Sequence, residues 1–243
     1  MKTAMIAVGN FIFTYRNTLF PLFLIGAFIM ARPTYPFGSA ALESLFDFLG
    51  IACALGGQAL RALTIGLDYI VRGGKNKQIY ADTLVQGGVF AHVRNPLYIG
   101  NFFIFLGLAL IFCAPGMLIA GIPLVLFIYA TMILAEEEYL RSKFGAQYED
   151  YCARVNRLWP NWRGFKKSIE YMQFNWNRLI SKEHNTTFGW LLGAIAFELR
   201  GEYAVAGAGY LNEIHAYFLV CLFAALTAAY AVVHTYKKAG AFS

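Results

Sequence analysis

Six stretches of this 243-residue chain are apolar and long enough to cross, or nearly cross, a lipid bilayer, and nothing else in the sequence constrains the fold as tightly. A helix needs about 20 apolar residues to span the hydrocarbon core, somewhat fewer where its ends snorkel. Lipid offers no hydrogen bonds, so a continuous apolar run has to satisfy its backbone internally, as a helix does. The candidates run over 15–31, 40–70, 96–113, 117–135, 186–199 and 212–236. Glu43, Asp47, Arg61 and Asp68 interrupt the second, and Glu198 weakens the fifth near its outer end. Pro96 is a good first helical residue, and Ala114-Pro115-Gly116 makes a tight turn between the third and fourth spans. The expected fold is all-α: a polytopic integral membrane bundle of about six transmembrane helices, with amphipathic cytoplasmic helices.

Composition agrees. Only 14% of the residues are charged, against about 25% in a soluble domain, and the mean hydropathy is +0.51. That leaves too little polar surface to coat a soluble globule and excludes disordered, collagen-like, coiled-coil and disulfide-stapled classes. The net charge of +6 does not argue for nucleic acid, because the basic residues flank the spans. Placing both termini in the cytoplasm puts seventeen of the twenty Lys and Arg residues inside, as the positive-inside rule requires. The membrane is then a cell inner or plasma membrane, or the endoplasmic reticulum in a eukaryote, and anionic headgroups are natural neighbours. Cys53, Cys113, Cys152 and Cys221 are scattered, as are His92, His184, His215 and His234. No spacing suggests a disulfide or a metal. No small-residue cleavage site follows an early apolar run, so no removable signal peptide is expected. The chain has no C-terminal prenylation box.

Two stretches outside the spans have helical apolar periodicity. In 147–159 the stripe is Tyr148, Tyr151, Cys152, Val155 and Leu158. In 165–180 it is Phe165, Ile169, Met172, Trp176, Leu179 and Ile180, with Lys166, Lys167 and Arg178 between them. The second reads as a helix in the headgroup plane, or equally as one packed on protein. The chain divides into N-terminal spans at 1–81, a chemical core at 82–160, and an amphipathic helix with C-terminal spans at 161–243.

The chemistry concentrates in two strings. The first is the loop 82–100, with Gly87-Gly88, Phe90, His92, Arg94-Asn95-Pro96 and Tyr98. A glycine turn and a proline helix start account for part of it, but not for the whole string. The second is Glu136-Glu137-Glu138 followed by Phe144-Gly145. Three carboxylates would oppose the dipole of a helix that stopped there, so the helix is expected to continue to Gly145, a good residue to follow a helix end. Glu137 and Glu138 can then pair with Arg141 or its neighbours. Glu136, nearest the bilayer, is either a solvated cap or a binding carboxylate. The hairpin returns both strings to one edge, so loop 82–95 and Glu136 can line one cavity.

These strings resemble the isoprenylcysteine carboxyl methyltransferases and the wider membrane phospholipid methyltransferases. The family pattern is matched by Asp82 to Val85, Gly88 to Gly100, Glu136 to Glu138, Phe144-Gly145, Tyr148 to Tyr151 and Pro160. The resemblance covers about 82–160. Asp82 stands where the family has histidine, Phe90 where it has tyrosine, and Asn95 replaces the histidine of its Arg-His-Pro triplet. The resemblance implies S-adenosylmethionine as cofactor, contacted by Thr83, Leu84, Val85, Phe90, Asn95, Pro96, Leu97, Tyr98 and Glu136. An apolar wall suits adenine, and a carboxylate suits ribose hydroxyls or an amino group.

The expected activity is methyl transfer to a lipid-like small-molecule acceptor entering from the bilayer. A prenylcysteine-type carboxylate is nucleophilic once ionised and needs no base. The catalytic candidates are Arg94, as anchor for an anionic group, and Glu137. The alternative is N-methylation of a phospholipid or other lipid amine, which needs a base such as Glu137 or His92. Reduction of a sterol-type double bond with NADPH, or a non-catalytic membrane role, ranks below both. Glu43, Asp47 and Arg61 are further candidates for lining a substrate cavity.

Overall fold

The computed structural model describes residues 2–68, 78–206 and 213–241. Its regular elements are helices: α1 (Lys2–Met30), α2 (Ala40–Leu67), α3 (Pro96–Phe112), α4 (Ile122–Phe144), α5 (Ala146–Arg154), α6 (Phe165–Ile169), α7 (Trp176–Ala206) and α8 (Glu213–Lys238). Among the described residues four helices are long and apolar enough to cross a membrane: Lys2–Met30, Ala41–Leu67, Met117–Phe144 and His215–Lys238. Helix α3 is apolar but shorter, and α7, which holds the expected fifth span, is not among the four. The chain is thus an all-α integral membrane protein, and the expected count of six spans is not confirmed. The expected 40–70 span ends at Leu67, and 69–77 lie outside the described residues.

The residues fall into two compact units that each draw on several helices. The first comprises Met1–Leu24, Ala59–Phe102 and Pro123–Asn175; the second comprises Ile25–Gln58, Phe103–Ile122 and Trp176–Ser243.

In the first unit α1 lies directly on α4. A Cβ on Gly9 would come within 2.1 Å of the Thr131 carbonyl oxygen, so only glycine permits this backbone approach. Phe20 stacks on Tyr129 at 5.5 Å, and Lys2 pairs with Glu138 at 3.0 Å. Helix α4 does run past the acidic triplet, and Gly145 takes a φ of +51° at its end. The periodicity of 147–159 correctly groups Tyr148, Tyr151 and Val155 with Cys152 in one apolar cluster, joined by Leu84, Leu140 and Phe144. The helix nevertheless stops at Arg154, and Leu158 is exposed.

The expected single helix over 165–180 is corrected. It is the short α6 and the start of α7, separated by an irregular stretch. The Phe174 ring occupies the space beside Gly66, where a Cβ would meet its Cε2 at 2.1 Å. The Asn175 N–H donates to the Gly66 carbonyl at 2.8 Å. Binding the end of α2 this way takes those backbone groups out of helical register, so tertiary contact outweighs local periodicity.

In the second unit α2 and α3 pack through small residues, as membrane helices do when van der Waals contact drives association. A Cβ on Gly107 would lie 2.4 Å from the Gly50 oxygen and 2.9 Å from the Ala54 nitrogen. Phe197 stacks on Phe112 at 4.4 Å and on Phe28 at 6.2 Å. The Trp190 indole donates to Gln58 at 3.0 Å. The neighbours of Gly107 are backbone atoms that cannot rotate aside, so Gly107→Ala should cost about 1–3 kcal/mol. The check is a lower melting temperature in detergent. Gly56→Ala, on the same α2 but with nothing within 4 Å of its Cβ, should leave that temperature unchanged.

Candidate active site

Local backbone chemistry shapes the loop ahead of α3. Gly88 has a φ of +51°, and a Cβ there would meet Asp68 Oδ2 at 2.2 Å. Both geometry and space therefore demand glycine. A short 3₁₀ turn follows over Gly88–Ala91, and Pro96 then opens α3 with Val89, Val93, Asn95 and Pro96 all buried.

A second stretch of chain straps this loop down. The Tyr151 hydroxyl donates to the Phe90 carbonyl at 2.7 Å. The Arg94 N–H donates to the Asn156 carbonyl at 2.9 Å, and the Asn161 N–H to the His92 carbonyl at 3.0 Å. The His92 ring is buried at 5% exposure. Its Nδ1 faces the Asn161 carbonyl, which can only accept. Nδ1 therefore carries the proton, and Nε2 lies within hydrogen-bond distance of the Ser168 hydroxyl, at 2.9 Å. Trp162 stacks on the ring and Phe165 meets it edge-on. Both nitrogens are spoken for, which removes His92 from the list of candidate bases. Burial pushes the Tyr148 and Tyr151 phenols up, so both remain protonated donors. Tyr151→Phe removes the bond to Phe90 and should cost about 1–2 kcal/mol of stability, read from the unfolding midpoint in detergent.

Glu137 is the electrostatic centre of the loop. It is 3% exposed and pairs with Arg157 at 2.7 Å and Arg94 at 3.3 Å. Arg157 also brings its Nε to both carboxylate oxygens, at 3.0 and 3.1 Å. The Asn95 amide donates to Glu137 at 3.4 Å and to the Arg157 carbonyl at 3.2 Å. The expected pairing of Glu138 with Arg141 is found, whereas that of Glu137 is corrected: Arg141 takes Glu138 and Glu149. Two guanidiniums compensate the buried carboxylate better than one exposed neighbour would. Arg94 Nε is buried and meets no hydrogen-bond partner among the described residues.

Glu136, one residue earlier, belongs to a different group. It is hydrogen-bonded to the Tyr98 side chain, and Arg16 of α1 lies close enough to act on both electrostatically. The Tyr98 ring meets Tyr129 edge-on at 5.7 Å. Arg61, 1% exposed, donates to the Leu97 carbonyl at 3.4 Å and to the Asn101 side chain. Arg61 thus secures the start of α3 in the first unit, whereas Glu43 and Asp47 belong to the second. The second unit holds an apolar cavity of about 380 Å³ lined by Phe28, Leu199, Arg200, Tyr203 and Val220, among others, and none of the expected site residues lines it.

All nine residues expected at the cofactor lie in the first unit. Leu84 packs on the Tyr148 cluster, and Asn95 and Pro96 are buried in the loop's own framework. Val85, Phe90, Leu97, Tyr98 and Glu136 are half-buried, and Thr83 is exposed. Sequence reasoning missed Arg157, Asn161, Ser168 and Arg16. Arg157 had a readable signal, since no acidic residue stands within six positions of it along the chain. The other three carried none. Among the described residues no group of His, Cys, Asp and Glu side chains could hold a metal ion.

Residues 47–147 match the family model described as phospholipid methyltransferase. The chain is 32% identical over 124 residues to the protein-S-isoprenylcysteine O-methyltransferase of Xenopus laevis, covering 49% of this chain and 42% of that protein. It is 34% identical over 115 residues to the Schizosaccharomyces pombe protein of the same name, covering 44% and 45%. It is 38% identical over 72 residues to protein-S-isoprenylcysteine O-methyltransferase B of Arabidopsis thaliana, covering 30% and 36%. The matched stretch spans less than half the length of each relative. No solved structure matches the chain.

Proposed function

From the match of residues 47–147 to the phospholipid methyltransferase family model and the likeness to protein-S-isoprenylcysteine O-methyltransferases, we propose that this protein methylates a lipid-like carboxylate, of the prenylcysteine type, with S-adenosylmethionine. The observation that carries the choice of acceptor is the state of the two candidate bases. Glu137 is locked between Arg94 and Arg157, and both His92 nitrogens are bonded. An amine acceptor has to lose a proton and needs a base; an ionised carboxylate does not. Arg16, Arg94 and Arg157 outnumber Glu136 and Glu137, so this neighbourhood favours an anionic acceptor.

The residues present suit the cofactor. It supplies an electrophilic sulfonium methyl, and displacement at that carbon asks the protein mainly for alignment and exclusion of water. Val85, Phe90 and Leu97 provide apolar surface for adenine. Glu136, oriented by Tyr98, suits ribose hydroxyls or the ammonium. Arg94 has a buried donor to spare and would orient the acceptor carboxylate. Both termini are taken to be cytoplasmic, with the loop on that side.

The test is transfer of a labelled methyl group by the purified protein in nanodiscs, offered either an S-farnesylcysteine analogue or phosphatidylethanolamine. Label in an alkali-labile ester of the first supports the reading. Label on the amine alone, or tight binding of NADPH without binding of S-adenosylmethionine, overturns it. Glu136→Ala should weaken cofactor binding by about 1–3 kcal/mol, whereas Glu138→Ala, whose exposed partners are Lys2 and Arg141, should change it little. Calorimetry reads both, and equal small effects would make the acidic triplet a helix extension only.

A further inference from the structure

The strap over the loop has an outer side that the proposed chemistry does not use. Between 158 and 171 it exposes Leu158 at 48%, Trp159 at 82%, Trp162 at 46% and Tyr171 at 92%. Arg163, Lys166 and Lys167 are exposed among them, against the single acid Glu170. Backbone bonds from the Arg94 N–H to the Asn156 carbonyl and from the Asn161 N–H to the His92 carbonyl hold the strap level with the residues just ahead of Pro96. That is where α3 begins, against the acidic triplet of α4. The ends of apolar helices mark the bilayer surface, the depth at which Trp and Tyr concentrate. Cations at that depth are attracted by anionic lipids, each by about fivefold.

We infer that residues 158–171 dock on the headgroups of anionic phospholipids in the membrane that holds the protein. Trp159 and Tyr171 supply the interfacial rings, and Arg163, Lys166 and Lys167 supply the charge. Trp162 joins this surface to the loop. Its ring stacks on His92 at 5.9 Å and meets Phe165 edge-on at 5.3 Å, while nearly half of it stays exposed. Lipid that holds the strap therefore also steadies the loop before α3. The inward turn of Phe165 onto His92 leaves the aromatics of 158–171, rather than a stripe over 165–180, as the membrane-facing set.

The experiment is hydrogen exchange of the full chain in nanodiscs of phosphatidylcholine, with and without phosphatidylglycerol. Exchange across 158–171 should slow by about fivefold for each cation engaged when the anionic lipid is present, and high salt should reverse it. The triple variant Arg163→Gln, Lys166→Gln, Lys167→Gln should lose that difference while keeping its melting temperature. Trp159→Ser should speed exchange in both lipids. Identical exchange in the two lipids, or a difference that survives in the triple variant, overturns the inference. Both readouts are independent of methyl transfer, so failure of the proposed reaction leaves this test intact.

Discussion

Glu137→Ala will destabilise the protein by about 3–5 kcal/mol and abolish the proposed methyl transfer. Removing the carboxylate strands Arg94, whose side chain is 11% exposed, without its counter-charge. Arg157, at 47%, can turn to water, so most of the penalty falls on Arg94. Asn95 loses one of its two partners in the same step. Thermal unfolding in detergent measures the loss, and Glu137→Gln should fall between wild type and alanine because the amide keeps one acceptor. The double variant Arg94→Met, Glu137→Leu removes the stranded charge and should recover much of the stability without recovering methyl transfer. If the alanine variant melts within a degree of wild type, the carboxylate is not the hub described here.

Arg94→Ala should lower kcat/KM for the lipid acceptor about 10–100-fold, mainly through KM. This follows from losing a hydrogen bond between charged groups, about 1.5–3 kcal/mol. Glu137 retains Arg157 and Asn95, so the fold should survive. Cofactor affinity should move little. Arg94→Lys should recover only part of the loss, because one ammonium cannot both face Glu137 and offer the second, separately directed donor of a guanidinium. Steady-state kinetics with each substrate varied in turn separates the cases. A defect confined to the cofactor's KM would move Arg94 to the cofactor and leave the acceptor without its proposed anchor.

Much of this was legible from the chain itself. The apolar runs announce a helical membrane protein because lipid leaves the backbone no other partner. Pro96 marks a helix start through its fixed φ and Gly145 a helix end through its tolerance of positive φ, and the structure places α3 and the end of α4 at those residues. The loop and the acidic triplet stand out because charges beside a span need a reason. The pairing of those charges was not legible. Glu137 sits four residues before Arg141, and local spacing points there; its actual partners come from 43 residues upstream and 20 downstream.

What the sequence determined by itself was therefore local and solvent-driven: helices, their ends, the membrane, and the two polar strings proposed to carry the chemistry. What only tertiary structure decided was which polar groups neutralise each other. The strap turns His92 inward, breaks the expected helix at Phe174, and brings Arg157 to Glu137. The physical reason is that a buried charge takes the partner that desolvates with it at the right angle, and distance along the chain has no part in that choice.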